Sequence, residues 1–463
     1  MSKIDVTSPF DGKVVGSVNF NTYEEVEAAI DLAHKTFVNK DGWLPKYKRV
    51  EILENVMKIM SSQVEELTIL CASEGGKPYI DSKVEILRAI NGIKIAIEHL
   101  SVFEGKEVAM GHTNTSANRL AYTFKEPIGV VAAISAFNHP FNLAVHQVIP
   151  AIAAGCPVII RPATQTPMSA VKLVEILKEA GLPNGWAQSV VCDRKGGELL
   201  ATSPKTAFLT FIGSGSVGWY LNSKASDGTR VVLEHGGVAP VIVEADADIE
   251  DMIPALAKGG FYHAGQVCVS VQRVFVQESI CEEVASKLAT AASKLIVGNQ
   301  LDPKTEVGPL INNGEVDRIE EWVNEAVAKG GKILTGGKRI GASCFEPTVI
   351  LNPAEDALIS TKEVFGPVVC IYSYKDLDEA IDRANQLDVS FQAAVFTKNI
   401  DKALKTVKRL NATAVMVNDH TAFRVDWMPF GGAKVSGLGM GGIPHSMHDM
   451  SVEKMMVIKS PVL

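Results

Sequence analysis

The stretch that decides the fold is PVIIRPATQTPMSAVKLVEILKEAGLPNGWAQSVVCD, residues 157–193. A short apolar run at 157–162 is followed by a segment with helical spacing at 169–181 and by a second β-rich run at 189–193. Two similar runs, GVVAAIS at 129–135 and AFLTFIG at 207–213, lie on either side. Strands that alternate with helices at this spacing predict a parallel sheet with crossover helices, which is an α/β fold.

Helices are predicted before this unit and a second α/β unit after it. Residues 23–105 carry apolar positions at helical spacing, and Thr22 and Glu25 stand in the pattern of a capping box. After residue 230, segments such as PVIVEADADIEDMIPALAKGGF repeat the strand–helix alternation. LEHGGVAP, residues 233–240, is the predicted hinge because it is a glycine-rich break between the two units.

Bulk composition excludes several classes of protein. The 463 residues allow two or three domains, and a net charge of −8 without a dense Lys/Arg run argues against a nucleic-acid partner. The apolar runs reach about half a membrane span, and the first residues lack the apolar core of a signal peptide. The seven scattered cysteines include no Cys-x-x-Cys pair. We therefore expect a reduced, cytoplasmic protein with no membrane segment and no metal site.

Polar and glycine residues follow two of the predicted strands. Gly213, Ser214 and Gly218 come after AFLTFIG, at a strand-to-helix turn where backbone N–H groups can bind a phosphate. Arg161 and Thr164 end the VIIRP strand, at the edge of a parallel sheet where nucleotides bind. Taken alone, each motif is also compatible with an ordinary turn.

Candidate catalytic groups lie in four further segments. Asn138 in SAFNHPF is an amide that can donate to a developing oxyanion. Glu234 in VVLEHGG is a strand-end carboxylate whose desolvation would suit it to act as a general base. Cys268 in GGFYHAGQVCVS is either a buried thiol or a nucleophile. Glu363 and Phe365 in KEVFGPVV can contact a ribose and a nicotinamide.

The order of these segments resembles the aldehyde dehydrogenase superfamily, from SPFDGKVVGSV near residue 8 to PFGGAKVSGLG at 429–439 and on to the end of the chain. The resemblance implies two doubly wound parallel-sheet domains, a Rossmann-like cofactor domain and a catalytic domain, plus a small β oligomerisation flap. The implied boundaries are 1–110 and 131–235 for the cofactor-binding domain, 236–444 for the catalytic domain, and 111–130 with 445–463 for the oligomerisation strands.

By this resemblance Cys268 is the nucleophile, which forms a thiohemiacetal with the aldehyde and, after hydride transfer to nicotinamide, a thioester. Asn138 is the side-chain oxyanion donor, and Glu234 is the general base that activates water for hydrolysis. Members that pass the acyl group to coenzyme A commonly lack this glutamate, so its presence favours a free acid product. A coenzyme-A-acylating dehydrogenase and a non-catalytic structural or binding member remain the alternatives.

The resemblance also implies NADP or NAD as cofactor. The predicted cofactor contacts are Phe137, Arg161, Thr164, Gly213, Ser214, Gly218, Glu363 and Phe365. Arg161 stands where the family usually has Lys, and Thr164 stands where many NAD-preferring members have Glu. Arg161 keeps a cation at this site, and Thr164 removes the carboxylate that would repel the 2′-phosphate of NADP. We therefore expect that NADP is accepted.

The predicted substrate contacts are His139, Asn142, His420 and Arg424. Arg424 is expected to pair a carboxylate, sulfonate or phosphonate on a short aldehyde, and the alternative is a surface pair with Asp426 or Asp419. The segment AFNHPFN resembles members that act on lactaldehyde, sulfoacetaldehyde or phosphonoacetaldehyde. A small polar or anionic aldehyde is therefore the expected substrate.

Two exposed strands are expected to build the oligomer. In the family, a β-hairpin leaves the cofactor domain and pairs with a C-terminal strand of another subunit. RLAYTFKEPIG at 119–129 and VEKMMVIKS at 452–460 match those strands, and the alternative is two edge strands within one chain. The expected assembly is a homodimer or a homotetramer.

Overall fold

In the computed structural model, which describes residues 2–463, strands and helices alternate along most of the chain. The helices are α1 Tyr23–Val38, α2 Lys46–Ser62, α3 Val64–Gly75, α4 Tyr79–Leu100, α5 Pro140–Ala154, α6 Met168–Glu179, α7 Arg194–Thr202, α8 Gly215–Lys224, α9 Ile249–Phe261, α10 Cys281–Ser293, α11 Asn313–Ala328, α12 Leu358–Thr361, α13 Leu377–Ala384, α14 Ile400–Arg409 and α15 Ile443–Asp449. No helix of residues 2–463 is both long enough and apolar enough to cross a membrane.

The strands form two large sheets and four small ones. They are β1 Ser2–Thr7, β2 Val14–Phe20, β3 Glu107–Val108, β4 Arg119–Pro127, β5 Val130–Ile134, β6 Val158–Arg161, β7 Ala187–Ser189, β8 Thr206–Ile212, β9 Arg230–Glu234, β10 Pro240–Val243, β11 Arg273–Gln277, β12 Lys332–Thr335, β13 Arg339–Ile340, β14 Cys344–Phe345, β15 Thr348–Leu351, β16 Val368–Tyr374, β17 Val389–Ser390, β18 Gln392–Phe396, β19 Ala414–Val417, β20 Ala433–Lys434, β21 Gly437–Leu438 and β22 Ser451–Lys459.

The first large sheet has the order β21–β9–β8–β5–β6–β7 and is parallel except for β21. Its strands β5, β6 and β8 confirm three of the predicted strands. The fourth, predicted at 189–193, is misplaced, because the strand ends at Ser189. Beyond it the chain leaves the sheet: the Val191 N–H donates to Asn21 Oδ1 at 2.9 Å, and Asn21 N–H donates to the Val191 carbonyl at 2.7 Å.

Helices cover both faces of this sheet because its side chains alternate between two apolar clusters. Val131 and Ala133 of β5 pack with α2 to α6 on one face, whereas Val130, Ala132 and Ile134 pack with α1, α7 and α8 on the other. Burial of both faces is typical of a doubly wound parallel sheet, as predicted.

The helices predicted within residues 23–105 are α1 to α4. The predicted capping box is confirmed at the start of α1, where Glu25 N–H donates to Thr22 Oγ1 at 3.3 Å and Thr22 N–H donates to Glu25 Oε2 at 2.9 Å. These reciprocal bonds satisfy backbone N–H groups at the helix start and fix where α1 begins.

The second large sheet has the order β12–β15–β16–β11–β10–β18–β19 and is parallel except for β12. The predicted hinge at 233–240 joins the two sheets, since β9 ends at Glu234 and β10 begins at Pro240. The exact domain boundaries stay a prediction, and one strand crosses between the units: β21, from the segment assigned to the second domain, pairs with β9.

The two strands expected to serve the oligomer pair with each other inside one chain. β4 and β22 form an antiparallel ladder of nine residue pairs, from Arg119 opposite Lys459 to Pro127 opposite Ser451. The expected pairing of the hairpin with the C-terminal strand of another subunit is therefore not what these two strands do. The outer edge of β22 is open within residues 2–463, because β4 is its neighbour on one side only.

Candidate active site

A cavity of about 1100 Å³ lies between the two large sheets, at the carboxyl ends of β5, β6, β8 and β9. Ligands of open α/β sheets bind at this edge. The predicted site residues that line it are Phe137, Asn138, His139, Asn142, Arg161, Thr164, Gly213, Ser214, Glu234, Cys268, Glu363, Phe365 and Arg424. The fold thus brings together segments that are more than two hundred residues apart in the sequence.

The thiol of Cys268 reaches this cavity, whereas the other six cysteines are buried. Gln266 fixes the loop that carries it: Oε1 accepts from Ile311 N–H at 2.9 Å and Nε2 donates to the Pro309 carbonyl at 3.2 Å. Because this side chain is buried and bonded at both ends, the loop is held rigidly. A rigid loop that opens one thiol to a cavity suits a nucleophile better than a packing residue.

Asn138 lies beside the cysteine loop. Its Nδ2 donates to the Gln266 carbonyl at 2.9 Å. Just after it, α5 begins at a buried charge, since one oxygen of Glu85 accepts the N–H groups of Phe141 and Asn142 at 2.9 Å each and the other pairs with Lys77. A carboxylate at a helix N-terminus stabilises that end of the helix, so the Asn138 amide is well fixed.

Burial and one cation set the electrostatics around the thiol. Burial raises the pKa of Glu234 to about 7, and the charge of Arg424 opposes this rise. Burial likewise raises the pKa of Cys268, the charges of Glu234 and Glu363 add to the rise, and Arg424 opposes it. A carboxyl that titrates near neutrality is suited to accept a proton from water.

One end of the cavity is lined by a carboxyl with an unpartnered oxygen and by a pair of aromatic rings. The carboxyl of Glu363 lies against the Cα of Gly236, and its Oε1 has no hydrogen-bond partner within residues 2–463. Burial raises the pKa of this group to about 8. The ring of Phe365 meets that of Phe137 edge to face, with 5.7 Å between centroids. A carboxyl with an unpartnered oxygen beside two aromatic rings fits the ribose and nicotinamide of a dinucleotide.

Cations lie farther along the same wall. Arg161 Nη2 donates to the Cys192 carbonyl at 3.1 Å, while its buried Nε has no partner among the described residues. Arg194, at the start of α7, also lines the cavity. Arg194 is not among the residues predicted from the sequence, although a cation directly after the Asp193 N-cap is a sequence signal for it. These two guanidinium groups and Thr164 fit a phosphate-bearing adenosine.

The other end of the cavity carries a cation without an acidic partner. Asp426 accepts from Arg88 Nη2 at 2.7 Å and lies 2.8 Å from His146 Nε2. The alternative in which Arg424 pairs Asp426 or Asp419 is therefore not observed. Instead the Arg424 guanidinium stacks on Phe430, with Cζ 3.5 Å from the ring centroid, and it contacts His146 Nδ1 at 3.3 Å. The Arg424 guanidinium thus lines the cavity without a salt bridge to any described residue; burial lowers its pKa, and the charge of Glu234 opposes this fall.

Two predicted site residues do not line the cavity. His420 Nδ1 accepts the Ala422 N–H at 3.1 Å, so this side chain closes a turn outside the cavity. Gly218 lies in α8 behind the cavity wall and contacts His235. Arg88 lines the cavity but is not predicted from the sequence, because only the fold brings α4 to this wall.

The cavity also contains polar groups that can meet a small substrate. His139 Nε2 lies 3.2 Å from the Tyr262 hydroxyl, and Asn142 Nδ2 donates to Asp426 at 3.4 Å. No group of three or more His, Cys, Asp or Glu side chains in residues 2–463 is arranged to hold a metal ion. A thiol, a carboxyl of raised pKa and a two-ended cavity with cations suit the class of oxidoreductases that use a thiol and bind a dinucleotide.

Comparison with known proteins agrees with this class. The family model "Aldehyde dehydrogenase family" matches residues 1–456. A 3-sulfolactaldehyde dehydrogenase of Priestia aryabhattai is 38% identical over 457 residues, which cover 98% of this chain and 95% of the relative. The chain belongs to the aldehyde dehydrogenase family, which confirms the predicted fold class and the predicted class of enzyme, an NAD(P)-dependent aldehyde dehydrogenase.

Two solved structures are also similar to it. Aldehyde dehydrogenase 21 from Physcomitrella patens, in complex with the reaction product succinate, has a TM-score of 0.95 at 36% identity, covering 99% of this chain and 95% of that chain. Glyceraldehyde-3-phosphate dehydrogenase GapN from Methanocaldococcus jannaschii, complexed with NADP, has a TM-score of 0.94 at 36% identity, covering 99% of both chains.

Proposed function

We propose that the protein oxidises a small anionic aldehyde to its carboxylic acid through a covalent adduct on Cys268. The observation that carries the proposal is that Cys268, Glu234 and Asn138 line one cavity with Arg424. Within residues 2–463 the Arg424 guanidinium has no carboxylate partner, since Asp426 is paired with Arg88.

In the proposed first half-reaction the Cys268 sulfur attacks the aldehyde carbon and gives a tetrahedral thiohemiacetal. Arg424 favours the thiolate, because its charge lowers the pKa of Cys268 against the effect of burial. The Nδ2 group of Asn138 lies at the cysteine loop, where it can donate to the developing oxyanion. A nicotinamide held beside Glu363 and Phe365 would supply the acceptor for the hydride that leaves the tetrahedral carbon, and Cys268 would then carry a thioester.

In the second half-reaction Glu234 takes a proton from water, and the resulting hydroxide attacks the thioester. A pKa of about 7 leaves this carboxyl ionised enough to act as a base near neutral pH. Collapse of the adduct releases the carboxylic acid and regenerates the Cys268 thiol. Coenzyme A is not needed, because water, deprotonated by Glu234, is the acyl acceptor.

The proposed cofactor runs along the wall from Glu363 to Arg161. Glu363 would accept from ribose hydroxyls, and the Gly213–Ser214 turn at the start of α8 would bind the pyrophosphate. Arg161, Arg194 and Thr164 would surround the adenosine 2′-phosphate. Arg161 and Arg194, with Thr164 in place of a carboxylate after β6, support NADP as an accepted cofactor, and the solved relative complexed with NADP is consistent with that. Glu198 of α7 also lines the cavity, and its carboxylate accepts a hydrogen bond from the Tyr220 hydroxyl at 3.1 Å.

The substrate class follows from the charge at the other end. Arg424 lines the cavity and forms no salt bridge within the described part of the chain, because Asp426 is paired with Arg88, so its guanidinium suits a carboxylate, sulfonate or phosphonate at the far end of a short aldehyde. Val267 and Val269 flank Cys268 and add no charge. The relative named 3-sulfolactaldehyde dehydrogenase supports an anionic substrate.

A panel of aldehydes tests the function. Absorbance of the reduced nicotinamide is followed with lactaldehyde, sulfoacetaldehyde, phosphonoacetaldehyde, hexanal and benzaldehyde, with NADP and NAD in separate series. The expected result is a higher kcat/KM for the anionic aldehydes and no turnover by Cys268→Ala. A preference for hexanal or benzaldehyde would contradict the substrate class. Acid product formed without coenzyme A is expected, and an absolute need for coenzyme A would contradict the hydrolytic step.

We further propose that the chain forms a homodimer or homotetramer in the cytoplasm. The open edge of β22 carries exposed apolar side chains, among them Met455 and Val457, and β19 is an edge strand of the second large sheet. Open apolar strand edges favour strand addition between subunits. Light scattering should give a dimer or larger, which Val457→Asp should dissociate, and a monomeric wild-type chain would contradict the assembly.

The seven unpaired cysteines support a reducing compartment.

A further inference from the structure

We propose that His235 is a positioning residue for the cofactor: it fixes the Gly213 turn at the start of α8, and this fixation raises cofactor affinity. The inference rests on the proposed cofactor site. It concerns a residue that follows the proposed general base directly in the sequence.

Both backbone polar groups of Gly213 are held by the end of β9. The Gly213 N–H donates to the Glu234 carbonyl at 3.1 Å. On the other side of the same residue, Nδ1 of His235 lies 2.9 Å from the Gly213 carbonyl oxygen. Because a carbonyl oxygen can only accept, the proton of the imidazole is on Nδ1, which donates. The residue pair 234–235 thus clamps the turn from both sides.

The imidazole of His235 also packs against the first turn of α8. The side chain is 4% exposed and lies between the rings of Phe211 and Trp219, at centroid distances of 5.8 and 6.0 Å. A Cβ on Gly218 would fall 2.7 Å from Nε2, so a glycine is needed for the helix to approach this close. This contact explains Gly218 without a direct role in binding.

The position is unusual for a residue that only fills space. With the proton on Nδ1, the buried Nε2 is an acceptor, and it has no hydrogen-bond partner in the part of the chain described. An unsatisfied buried acceptor costs stability. A leucine would fill a similar volume without this cost, but it would leave the Gly213 carbonyl without its donor. What the histidine adds is therefore the hydrogen bond to the turn.

The turn matters because it presents the backbone N–H groups of α8 to the cavity. Gly213, Ser214 and Ser216 line the cavity together with His235, and α8 has no side-chain cap at Ser214. The free N–H groups of a helix start bind phosphate well only when their positions are fixed before binding. Loosening the turn is therefore expected to weaken binding more than it slows the chemistry at Cys268.

Isothermal titration calorimetry with NADP and NAD tests the inference on wild type and two variants. His235→Leu removes the donor and is expected to raise Kd by about 5- to 10-fold, the effect of one neutral hydrogen bond, with a smaller change in kcat at saturating cofactor. His235→Asn offers an amide donor close to the position of Nδ1 and is expected to bring Kd back to within about twofold of wild type.

The matched control is Trp219→Phe. It removes the bond from Trp219 Nε1 to the Val435 carbonyl, at 3.1 Å, and so loosens the same helix without touching Gly213. Its Kd is expected to change less than about twofold.

The outcomes separate the two proposals. A wild-type protein that binds neither NADP nor NAD would overturn the cofactor site and this inference with it. A wild-type protein that binds, with a His235→Leu variant of equal Kd, would overturn the inference alone, even if that variant melts at a lower temperature. Equal losses of cofactor affinity in His235→Leu and His235→Asn would show that the hydrogen bond to the Gly213 carbonyl is not the cause, and would overturn the inference.

Discussion

Replacement of Glu234 by Gln tests the second half-reaction most directly. The carboxyl lies buried in the cavity wall near Arg424, and burial raises its pKa to about 7. If Glu234 is the base, only its ionised form promotes hydrolysis. That form should make up about one-tenth of the enzyme at pH 6 and about nine-tenths at pH 8, so thioester hydrolysis is expected to rise about tenfold across this range.

In Glu234→Gln the base is lost while the volume is kept, so hydrolysis should slow by about 10²- to 10⁴-fold. Formation of the thioester does not need this base, and stopped-flow measurements should therefore show a burst of about one reduced cofactor per active site. Added hydroxylamine, which attacks thioesters without help, should restore turnover as the hydroxamate. This rescue is the control for an intact first half-reaction.

Glu234 is not the base if Glu234→Gln keeps steady turnover without a burst, or if that variant retains the tenfold rise in hydrolysis between pH 6 and pH 8. Either result would mean that a different group activates water. Loss of both the burst and steady turnover would mean that Glu234 acts in a step before the thioester forms. Its assignment to thioester hydrolysis would then also be wrong.

Three further substitutions test the remaining assignments. Thr164→Glu places a carboxylate beside the proposed 2′-phosphate, so initial rates should show kcat/KM for NADP falling about 10- to 100-fold relative to NAD; an unchanged ratio would contradict the assignment. Arg424→Leu should lower kcat/KM for an anionic aldehyde about 10- to 100-fold relative to a short neutral one, and equal losses would count against an anion site. Glu363→Gln should raise the unfolding temperature of the cofactor-free protein above about pH 8 but not near pH 4.5. The folded-state pKa of Glu363, about 8, exceeds the ordinary 4.5, so its contribution to stability declines as pH rises through that window, and thermal unfolding at both pH values checks the sign.

The sequence alone determined the order of the elements and the edge at which the site lies. Apolar periodicity identifies strands and helices, because one face of each must be buried, and the capping box at Thr22 is a local interaction that needs no tertiary context. Asn138 and Gly213 follow strands β5 and β8, Arg161 and Glu234 are the last residues of β6 and β9, and the carboxyl ends of parallel strands share one edge. The positions of polar residues at the ends of predicted strands were therefore enough to predict much of the candidate site.

Only the tertiary structure decided which charged side chains lack an ion-pair partner and which cysteine thiol reaches the cavity. Asp426 pairs with Arg88, which is 338 residues away, and this pairing leaves Arg424 for the cavity. The pairing of β4 with β22 inside one chain and the arrival of Arg194 at the cavity are likewise results of packing. Periodicity records which face of an element is buried, but it does not record the partner, because ion pairs and strand pairs form between segments far apart in the chain.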